Sequence, residues 1–204
     1  MSLIFVRHGE TALNVAQTVQ PADTPLSSRG RLQAEHVAER LATADVVAII
    51  SSDLLRALQT AERIALRTGI AIERDALWQE RNFGDWRGRR WQDLGLDPRT
   101  TGETPPGGES VASFQARVAL AFGRLAQRDP VAPGAIVVVT HGLVIRALLE
   151  AHLVRPAGAG AGLTLGNTSV TIAARQAPYA VTVLDCLAHL DEASRHDQGS
   201  AAGL

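Results

Sequence analysis

The chain has 204 residues, of which 46% are hydrophobic and 20% are charged, a composition typical of one large globular domain. Its formal net charge of −1 does not suggest non-specific binding to nucleic acid. Cys186 is the only cysteine, which excludes an intrachain disulfide and a cysteine-based zinc site. Because Cys186 stands in an apolar run, we expect it to be a buried structural thiol.

The sequence contains no segment that predicts export or membrane insertion. The first apolar run, Leu3 to Val6, is too short for the hydrophobic region of a signal peptide, and no stretch approaches the length that crosses a bilayer. We therefore expect a cytoplasmic protein with no membrane partner.

Short apolar runs alternate with helical patterns along the chain. The predicted strands are Leu3 to Val6, Val46 to Ile50, Ala71 to Glu73, Ile136 to Val139, Ser169 to Ala173 and Ala180 to Leu184. The predicted helices are Arg29 to Ala42, Leu54 to Arg67, Ser110 to about Gln127, and one that follows His141. This alternation predicts an α/β layered sheet whose ligands bind outside the carboxyl ends of the strands. In the first helix, the stripe expected to face the core consists of Leu32, Val37, Ala38 and Leu41.

A single domain is expected over residues 1–190. Leu77 to Glu109 holds all three tryptophans, many arginines and a turn-rich stretch, and we expect it to form a lid-like insertion over the edge of the sheet. The glycine-rich stretch from Gly158 to Gly166 lacks the spacing of a dinucleotide-binding loop and is predicted to be a flexible connection. The polar tail, residues 191–204, is predicted to be disordered.

Charged side chains follow the ends of three predicted strands. Arg7 and His8 follow the first strand, Arg56 falls in the first turn of the helix after the second strand, and His141 follows the fourth strand. If these strands are parallel neighbours, the four side chains meet at one edge of the sheet together with helix N-termini. Such a group of cations, imidazoles and backbone donors would form a pocket for a dianion.

Each of these residues also has a simpler interpretation. Taken singly, Arg7 and His8 are typical of a solvated turn, Arg56 of a solvated helix residue and His141 of a hydrogen-bonded histidine at a strand end. Their coincidence at three strand ends favours the anion pocket. No His-x-His or His-Glu-x-x-His spacing predicts a metal site, and no Gly-x-Ser-x-Gly turn predicts a serine nucleophile.

The same residues belong to a series of motifs that resembles the histidine phosphatase superfamily, the phosphoglycerate mutase-like proteins. The motifs are Arg7-His8-Gly9-Glu10-Thr11 with Asn14, Asp23 to Ser27 followed by Gly30 and Gln33-Ala34, Ser51 to Ala61, Leu77 to Trp86, and Thr140-His141-Gly142 with Ile145-Arg146. The resemblance covers about residues 2–190. It implies a three-layer sandwich in which helices flank a mainly parallel, mixed sheet.

The resemblance also implies a role for each matching residue. His8 matches the phosphorylated nucleophile, Glu80 matches the general acid/base, and the other implied catalytic residues are Arg7, Arg56 and His141. The implied substrate-binding residues are Arg7, Asn14, Gln20, Arg56, Glu80, His141 and Gly142. No metal and no cofactor are implied, and the implied partner is a small phosphorylated substrate.

The sequence departs from the family pattern in two places. Pro21-Ala22 stands where relatives commonly have Gly-Trp, which puts substrate contacts there in doubt. Trp86-Arg87-Gly88 replaces the more usual Trp-Glu-Gly. Arg87 belongs to a predicted basic cluster near the mouth of the site, which is either a solvated surface or a contact for an anionic substrate; its other members are Arg81, Arg89 and Arg90.

The same site could serve a phosphatase or a mutase. Mutases that this chain resembles have a larger insertion rich in Lys and Arg, whereas the insertion here is short and contains no Lys. The stretch from Pro105 to Ser110, followed by Phe114 and Arg117, resembles the phosphatase branch. We therefore expect a metal-independent phosphomonoesterase, with a cofactor-dependent phosphoglycerate mutase as the alternative and a non-catalytic phospholigand-binding protein as the least favoured reading. The physiological substrate and a homodimeric state are left open.

Overall fold

A mixed β-sheet with helices on both faces forms the body of the molecule, for which the computed structural model describes residues 1–128, 133–158 and 163–195. The strands in this part of the chain are β1 (Ser2–Arg7), β2 (Val46–Ser51), β3 (Ile72–Arg74), β4 (Ala135–Thr140), β5 (Val170–Ala174) and β6 (Val181–Cys186). The helices are α1 (Ala12–Val15), α2 (Ser28–Ala42), α3 (Leu55–Thr68), α4 (Trp91–Leu94), α5 (Val111–Ala126), α6 (Gly142–Ala151) and α7 (Glu192–Arg195). Single 3₁₀ turns lie at Ala76–Trp78 and Gly84–Trp86.

The strand order in the sheet is β3-β2-β4-β1-β5-β6. β1 and β2 both pair in parallel with β4, and β3 pairs in parallel with β2. β5 lies antiparallel to β1, and β6 lies antiparallel to β5. All six predicted strands are present, with small differences at their ends, and the predicted α/β sandwich with a mainly parallel, mixed sheet is confirmed.

Two hydrophobic cores lie on opposite faces of the sheet. Because successive side chains of a strand point to opposite faces, Leu3 and Phe5 pack with α5 and α6, whereas Ile4 and Val6 pack with α2 and α3. This arrangement explains why the first and fourth strands read as continuous apolar runs: both of their faces are covered. The central strands are thereby held rigidly, and their carboxyl ends are fixed relative to one another.

The predicted core stripe of α2 is wrong at Leu32, which is 57% exposed. Gln33 is fully buried instead, and its amide group accepts from the backbone N–H of Glu10 at 2.9 Å and donates to the carbonyl of Ser194 at 3.0 Å. Since adjacent helix residues lie about 100° apart, the inward position of Gln33 turns Leu32 toward solvent. The two hydrogen bonds of the buried Gln33 amide therefore fix which side of α2 faces the core.

Cys186 is half-buried and not fully buried, which corrects the prediction of a core thiol. Its sulfur lies 3.3 Å from a guanidinium nitrogen of Arg40. The predicted disordered tail also differs at its start, because Glu192–Arg195 forms α7 and the Ser194 side of this helix is buried. Residues 196–204 of that tail, and residues 159–162 of the predicted flexible connection, lie outside the described residues.

The segment from Leu77 to Glu109 is anchored at several points. Trp78 is buried in the core with its ring centroid 6.3 Å from that of Phe5, and Trp86 stacks on Phe83 at 6.5 Å. Because both rings are buried, neither tryptophan is free to contact a ligand as a residue of a mobile lid would be. In the described part of the chain, no helix combines the length and the apolar character that a membrane span requires.

Candidate active site

The carboxyl ends of β1, β4 and β2 meet at one edge of the sheet. Arg7 pairs with Thr140 across β1 and β4, and Ser51 pairs with Val139 across β2 and β4. The next residue of the first strand, His8, continues this pattern by donating its backbone N–H to the carbonyl of Thr140 at 2.9 Å. The strand-end convergence expected from the sequence is therefore what the fold produces.

His8 is buried beside this edge as a neutral imidazole. Its Nδ1 lies 2.7 Å from the carbonyl oxygen of Gly9. Because a carbonyl oxygen can only accept, Nδ1 carries the proton and Nε2 keeps its lone pair. Burial, followed by the charges of Arg56 and Arg7, holds the pKa of His8 well below its ordinary value. A neutral histidine with an unprotonated Nε2 has the electronic form that a nucleophile needs.

Two cations flank His8: Arg56, which is buried, and Arg7, which is half-buried. A terminal nitrogen of Arg7 donates to the carbonyl of Leu165, and one of Arg56 donates to the carbonyl of Pro21 at 3.2 Å. Burial lowers the pKa of Arg7, and it lowers that of Arg56 to about 10. A guanidinium keeps its charge in proteins, so both side chains are cations. The Nε atoms of both side chains are buried and have no hydrogen-bond partner within the described part of the chain.

His141 lies behind His8, with the two ring centroids 5.2 Å apart. It is fully buried, and its Nε2 is 2.8 Å from the hydroxyl oxygen of Ser52. That oxygen also accepts from the backbone N–H of Leu54 at 3.3 Å, and its second lone pair and its proton allow it to bond either tautomer of His141. Nδ1 of His141 is buried and has no partner among the described residues. Burial and the charge of Arg56 hold the pKa of His141 well below its usual range.

Glu80 lies at the same edge and accepts two backbone hydrogen bonds, from Arg81 at 3.0 Å and from Leu143 in the first turn of α6 at 3.2 Å. Burial raises the pKa of this carboxyl, although those bonds and the charges of Arg56 and Arg7 oppose the shift. The Arg81 guanidinium does not contact the carboxyl, because it donates to backbone carbonyls. A carboxyl with a raised pKa suits proton transfer near neutral pH.

A cavity of about 260 Å³ opens onto these groups. It is bordered by His8, Glu80, Arg7 and Arg56, together with all three residues that the sequence proposed as further contacts: Asn14, Gln20 and Gly142. His141 does not border the cavity itself and reaches the site only through its contact with His8. The cavity therefore brings together the predicted site residues, with His141 as an inner layer.

The three further contacts are held in different ways. Asn14 Oδ1 accepts from the backbone of Thr11 at 3.1 Å, and Gln20 Oε1 accepts from the Thr11 hydroxyl at 2.9 Å, which leaves both side-chain amide groups to donate. Gly142 begins α6 where no side chain caps the helix, and a Cβ added to it would lie 3.6 Å from Arg7 Nε. An uncapped helix N-terminus beside the Arg7 guanidinium favours an anion.

Glycine is required at the turn that follows β1. A Cβ on Gly9 would lie 2.5 Å from the carbonyl oxygen of Gly30, and one on Gly30 would lie 2.0 Å from that of Glu10. The two backbones can approach this closely only because neither residue has a side chain. The Gly9 N–H donates to the hydroxyl of Thr60 at 3.0 Å, which ties the turn to the helix that carries Arg56.

The predicted basic cluster is not one patch. Arg81 is buried and bonded to the carbonyls of Glu109, Thr101 and Glu103, so its role is to hold the surrounding loop. Of the three remaining members, which are all exposed, Arg87 borders the cavity and the other two do not: Arg89 and Arg90. The mouth of the site therefore has one arginine from this cluster that is both exposed and directed to the cavity wall.

Comparison with known proteins identifies the family. The model of the histidine phosphatase superfamily (branch 1) matches residues 3–183. The chain belongs to this superfamily. It is 37% identical over 183 residues to phosphoglycerate mutase-like protein 4 of Arabidopsis thaliana, a match that covers 83% of this chain and 77% of the relative. It is 35% identical over 185 residues to glucosyl-3-phosphoglycerate phosphatase of Mycobacterium tuberculosis, covering 83% of each protein.

Solved structures of histidine phosphatases match the fold as well. The mycobacterial glucosyl-3-phosphoglycerate phosphatase complexed with VO3 superimposes with a TM-score of 0.73 at 34% identity, covering 84% of this chain and 90% of that chain. The same enzyme with inorganic phosphate gives a TM-score of 0.76 at 30% identity, covering 93% and 99%. The resemblance stated from the sequence motifs is therefore confirmed at the level of family and fold.

Sequence reasoning missed several residues of this histidine phosphatase site. Ser52, which bonds His141, lies within the Ser51 to Ala61 motif, to which no role of Ser52 was attached. Asn167, which donates to the carbonyl of His8 at 3.0 Å, was not singled out. Leu165, whose carbonyl holds Arg7, lies in the connection that was expected to be flexible. Its contact joins residues 158 positions apart, and no local signal predicts it.

Proposed function

We propose that this chain hydrolyses small phosphomonoesters in two steps, through a phosphohistidine formed on Nε2 of His8 and without a metal ion. The observation that carries the proposal is a neutral buried His8 flanked by two buried guanidinium donors with no partner in the described residues, Arg7 Nε and Arg56 Nε. Buried donors are normally bonded. A phosphoryl group beside His8 would accept from such donors.

The chain is a phosphomonoesterase of the histidine phosphatase superfamily. The phosphatase among its relatives acts, by its name, on glucosyl-3-phosphoglycerate, a small phosphorylated compound. We take the same broad class, small phosphorylated metabolites, as the substrates of this chain. The individual substrate is not part of the proposal.

In the first step, His8 Nε2 attacks phosphorus as the ester P–O bond breaks in line with it. Glu80, whose pKa is raised by burial, donates its proton to the departing oxygen. Arg7 and Arg56 stabilise negative charge on the three other phosphoryl oxygens, and the backbone N–H of Gly142 adds a further donor. The products are an alcohol and phosphorylated His8.

In the second step, a water molecule attacks the phosphohistidine. Glu80, now ionised, takes a proton from this water, the P–N bond breaks, and inorganic phosphate leaves with His8 restored to its neutral form. Because the arginines already neutralise the phosphate, the site needs no cation of its own. Among residues 1–128, 133–158 and 163–195, no three His, Cys, Asp or Glu side chains are grouped so that they could hold a metal.

The mutase alternative differs only in what receives the phosphoryl group. A mutase must hold its intermediate and shield the phosphohistidine from water, whereas a hydrolase must admit water. The insertion over this site is short, and the chain has no lysine with which to grip a phosphoglycerate carboxylate. With 3-phosphoglycerate and a 2,3-bisphosphate primer, we expect phosphate release to exceed isomerisation greatly; the reverse ratio would favour the mutase.

The proposed chemistry is tested with p-nitrophenyl phosphate and with an alkyl phosphate, both in EDTA. Turnover should persist in EDTA, and rapid quenching should trap an acid-labile phosphohistidine on His8. His8→Ala should abolish turnover. Glu80→Gln should slow the alkyl ester by about 10²-fold or more but p-nitrophenyl phosphate less, because a good leaving group needs less protonation. Phosphate trapped on His141, or activity that needs an added metal, would contradict the proposal.

A cytoplasmic location stays a prediction from the sequence, and a homodimeric state stays open. Cell fractionation and analytical ultracentrifugation test them directly. Neither enters the proposed mechanism, since every residue named in it comes from one chain.

A further inference from the structure

One arginine at the cavity has no interaction that accounts for its charge. Six arginines border the cavity: Arg7, Arg56, Arg81, Arg87, Arg99 and Arg146. Five of them donate hydrogen bonds to backbone carbonyls or, in the case of Arg99, form a 2.7 Å ion pair with Asp97. Within the described residues, the side chain of Arg87 forms neither a hydrogen bond nor an ion pair.

The acidic residues at the cavity do not serve as its partner. Glu10 accepts from the hydroxyl of Ser27 at 2.6 Å and lies 3.6 Å from Arg29. Glu80 accepts from two backbone N–H groups. These are the only acidic side chains among the described residues that border the cavity. The charge of Arg87 is therefore not balanced from within the site.

The backbone beneath Arg87 is held firmly, although its side chain is exposed. Gly88 donates to the carbonyl of Val19 at 2.7 Å, and Val19 donates back to the carbonyl of Arg89 at 3.0 Å. Trp86, the preceding residue, is buried against Phe83 and Val19. This strap (residues 86–89) crosses the segment that forms one wall of the cavity, so the Arg87 side chain extends from a fixed position at the rim.

Arg87 is also close to the phosphate end of the cavity. Its charge contributes to the lowered pKa of Arg56, after burial and the charge of Arg7. A substrate whose phosphate lies between Arg7 and Arg56 would therefore extend past Arg87 as it leaves the cavity. A cation at that point attracts an anionic group carried by the rest of the substrate.

We propose that Arg87 binds a second anionic group of the substrate, a carboxylate or a further phosphate, so that the enzyme prefers phosphomonoesters that carry another negative charge. This inference rests on the proposed function, because it takes the scissile phosphate to lie beside His8. It assigns Arg87 to substrate selection and leaves the chemistry to His8, Glu80 and the two arginines beside them, Arg7 and Arg56.

The test compares pairs of ligands that differ in the second charge alone. 3-Phosphoglycerate and glycerol 3-phosphate share a skeleton and differ by a carboxylate in place of a hydroxymethyl group. Fructose 1,6-bisphosphate and fructose 6-phosphate differ by a phosphate. Each is measured as a competitive inhibitor of p-nitrophenyl phosphate hydrolysis, in the parent enzyme and in Arg87→Gln, Arg87→Glu and Arg90→Gln. Arg90 is the control because it is an exposed arginine nearby that does not border the cavity.

In the parent enzyme the more charged member of at least one pair should bind more tightly. Arg87→Gln should reduce that preference by about three- to tenfold, between the effect of an exposed ion pair and that of a charge-assisted hydrogen bond. Arg87→Glu should reduce it further, and Arg90→Gln should leave it unchanged. The pair that responds identifies the anion as carboxylate or phosphate.

The inference would be overturned if, for both pairs, the ratio of the two inhibition constants were the same in the parent and in Arg87→Gln. It would also be overturned if the parent showed no preference within either pair. The failure of the proposed function looks different. Calorimetry gives dissociation constants for the same ligands without requiring turnover. If the protein hydrolysed no phosphomonoester but Arg87→Gln still reduced the preference for the more charged ligand, the proposed hydrolase function would be contradicted. The anion contact at Arg87 would stand.

Discussion

Arg56 is the residue for which burial decides between a structural and a functional reading. From the sequence it is an arginine in the first turn of a helix, a position that is usually solvated. In the structure it is 3% exposed, its Nη1 bonds the Pro21 carbonyl, and its Nε has no partner among the described residues. A buried cation costs free energy unless something compensates it. The nearby Glu80 carboxylate supplies part of that compensation. In the proposed mechanism, the phosphate of the substrate supplies the rest.

Arg56→Ala should lower kcat/KM by about 10²-fold or more, by analogy with the removal of one donor that stabilises transition-state charge. Arg89→Ala serves as the matched control, because that arginine is exposed and, among the described residues, its side chain donates only to the carbonyl of Asp93. Urea denaturation shows whether Arg56→Ala still folds, and Arg56→Lys gives a second variant that keeps the charge. A kcat/KM for Arg56→Ala within about twofold of the parent value would return this residue to a structural role.

At the level of elements, the segment that carries Glu80 has little regular structure of its own and is held from outside. Arg117 of α5 donates to the carbonyls of Leu77 at 2.9 Å, Gln79 at 2.8 Å and Glu80 at 3.2 Å. Glu109 pairs with Arg117 at 2.7 Å and also accepts from the backbone N–H of Asn82 at 2.8 Å. This half-buried pair therefore fastens both sides of the loop that places Glu80, the proposed general acid.

Arg117→Gln should lower kcat for an alkyl phosphate by about tenfold or more, since a small displacement of a catalytic group is costly. KM should change little, and p-nitrophenyl phosphate should be less affected, because its leaving group depends less on Glu80. Arg67→Gln, which breaks the exposed ion pair with Glu39, is the control and should have no effect on kcat.

A double-mutant cycle separates positioning from general destabilisation. If Arg117 acts through Glu80, Arg117→Gln should cost almost nothing further in a Glu80→Gln background. Additive losses in the double variant would show that Arg117 stabilises the fold and does not position the acid.

The elements themselves were largely readable from the sequence, because their signals are local. Continuous apolar runs gave β1 and β4, and the strand-end positions of His8 and His141 then followed from parallel topology. What could not be read depends on contacts between distant residues. The phase of α2 was set by Gln33 bonding Glu10 and Ser194, and the hold on Glu80 came from Arg117, 37 positions away. No periodicity or motif spacing encodes such pairings.

For the whole molecule, the burial of neutral histidines makes the free energy of unfolding depend on pH. His8 and His141 are buried without charge, and the pKa of each lies well below the ordinary 6.5, first because of burial and then because of nearby Arg56. His189, held by Arg40, has its pKa lowered to about 4, again chiefly by burial. In the unfolded chain these histidines take up protons near pH 6.5, whereas in the native chain they do not. A depressed native pKa contributes stability above the unfolded value that is lost as the pH falls.

The unfolding free energy should therefore decrease below about pH 6.5, and the slope of that decrease should depend on His8. Below that pH, each histidine that is protonated in the unfolded chain but neutral in the native chain lowers the free energy of unfolding by up to about 1.4 kcal/mol per pH unit. Glu80 opposes this trend, because burial raises its native pKa and its contribution is lost as the pH rises. Because the parent and the variants all contain Glu80, comparing their curves removes its contribution. Urea denaturation of the parent, His8→Asn and His141→Asn at pH 7.5, 6.5 and 5.5 should show shallower curves for both variants, by an amount approaching that of one proton each. Curves parallel to the parent would mean that these histidines titrate normally in the native protein, which would remove the neutral nucleophile on which the proposed mechanism depends.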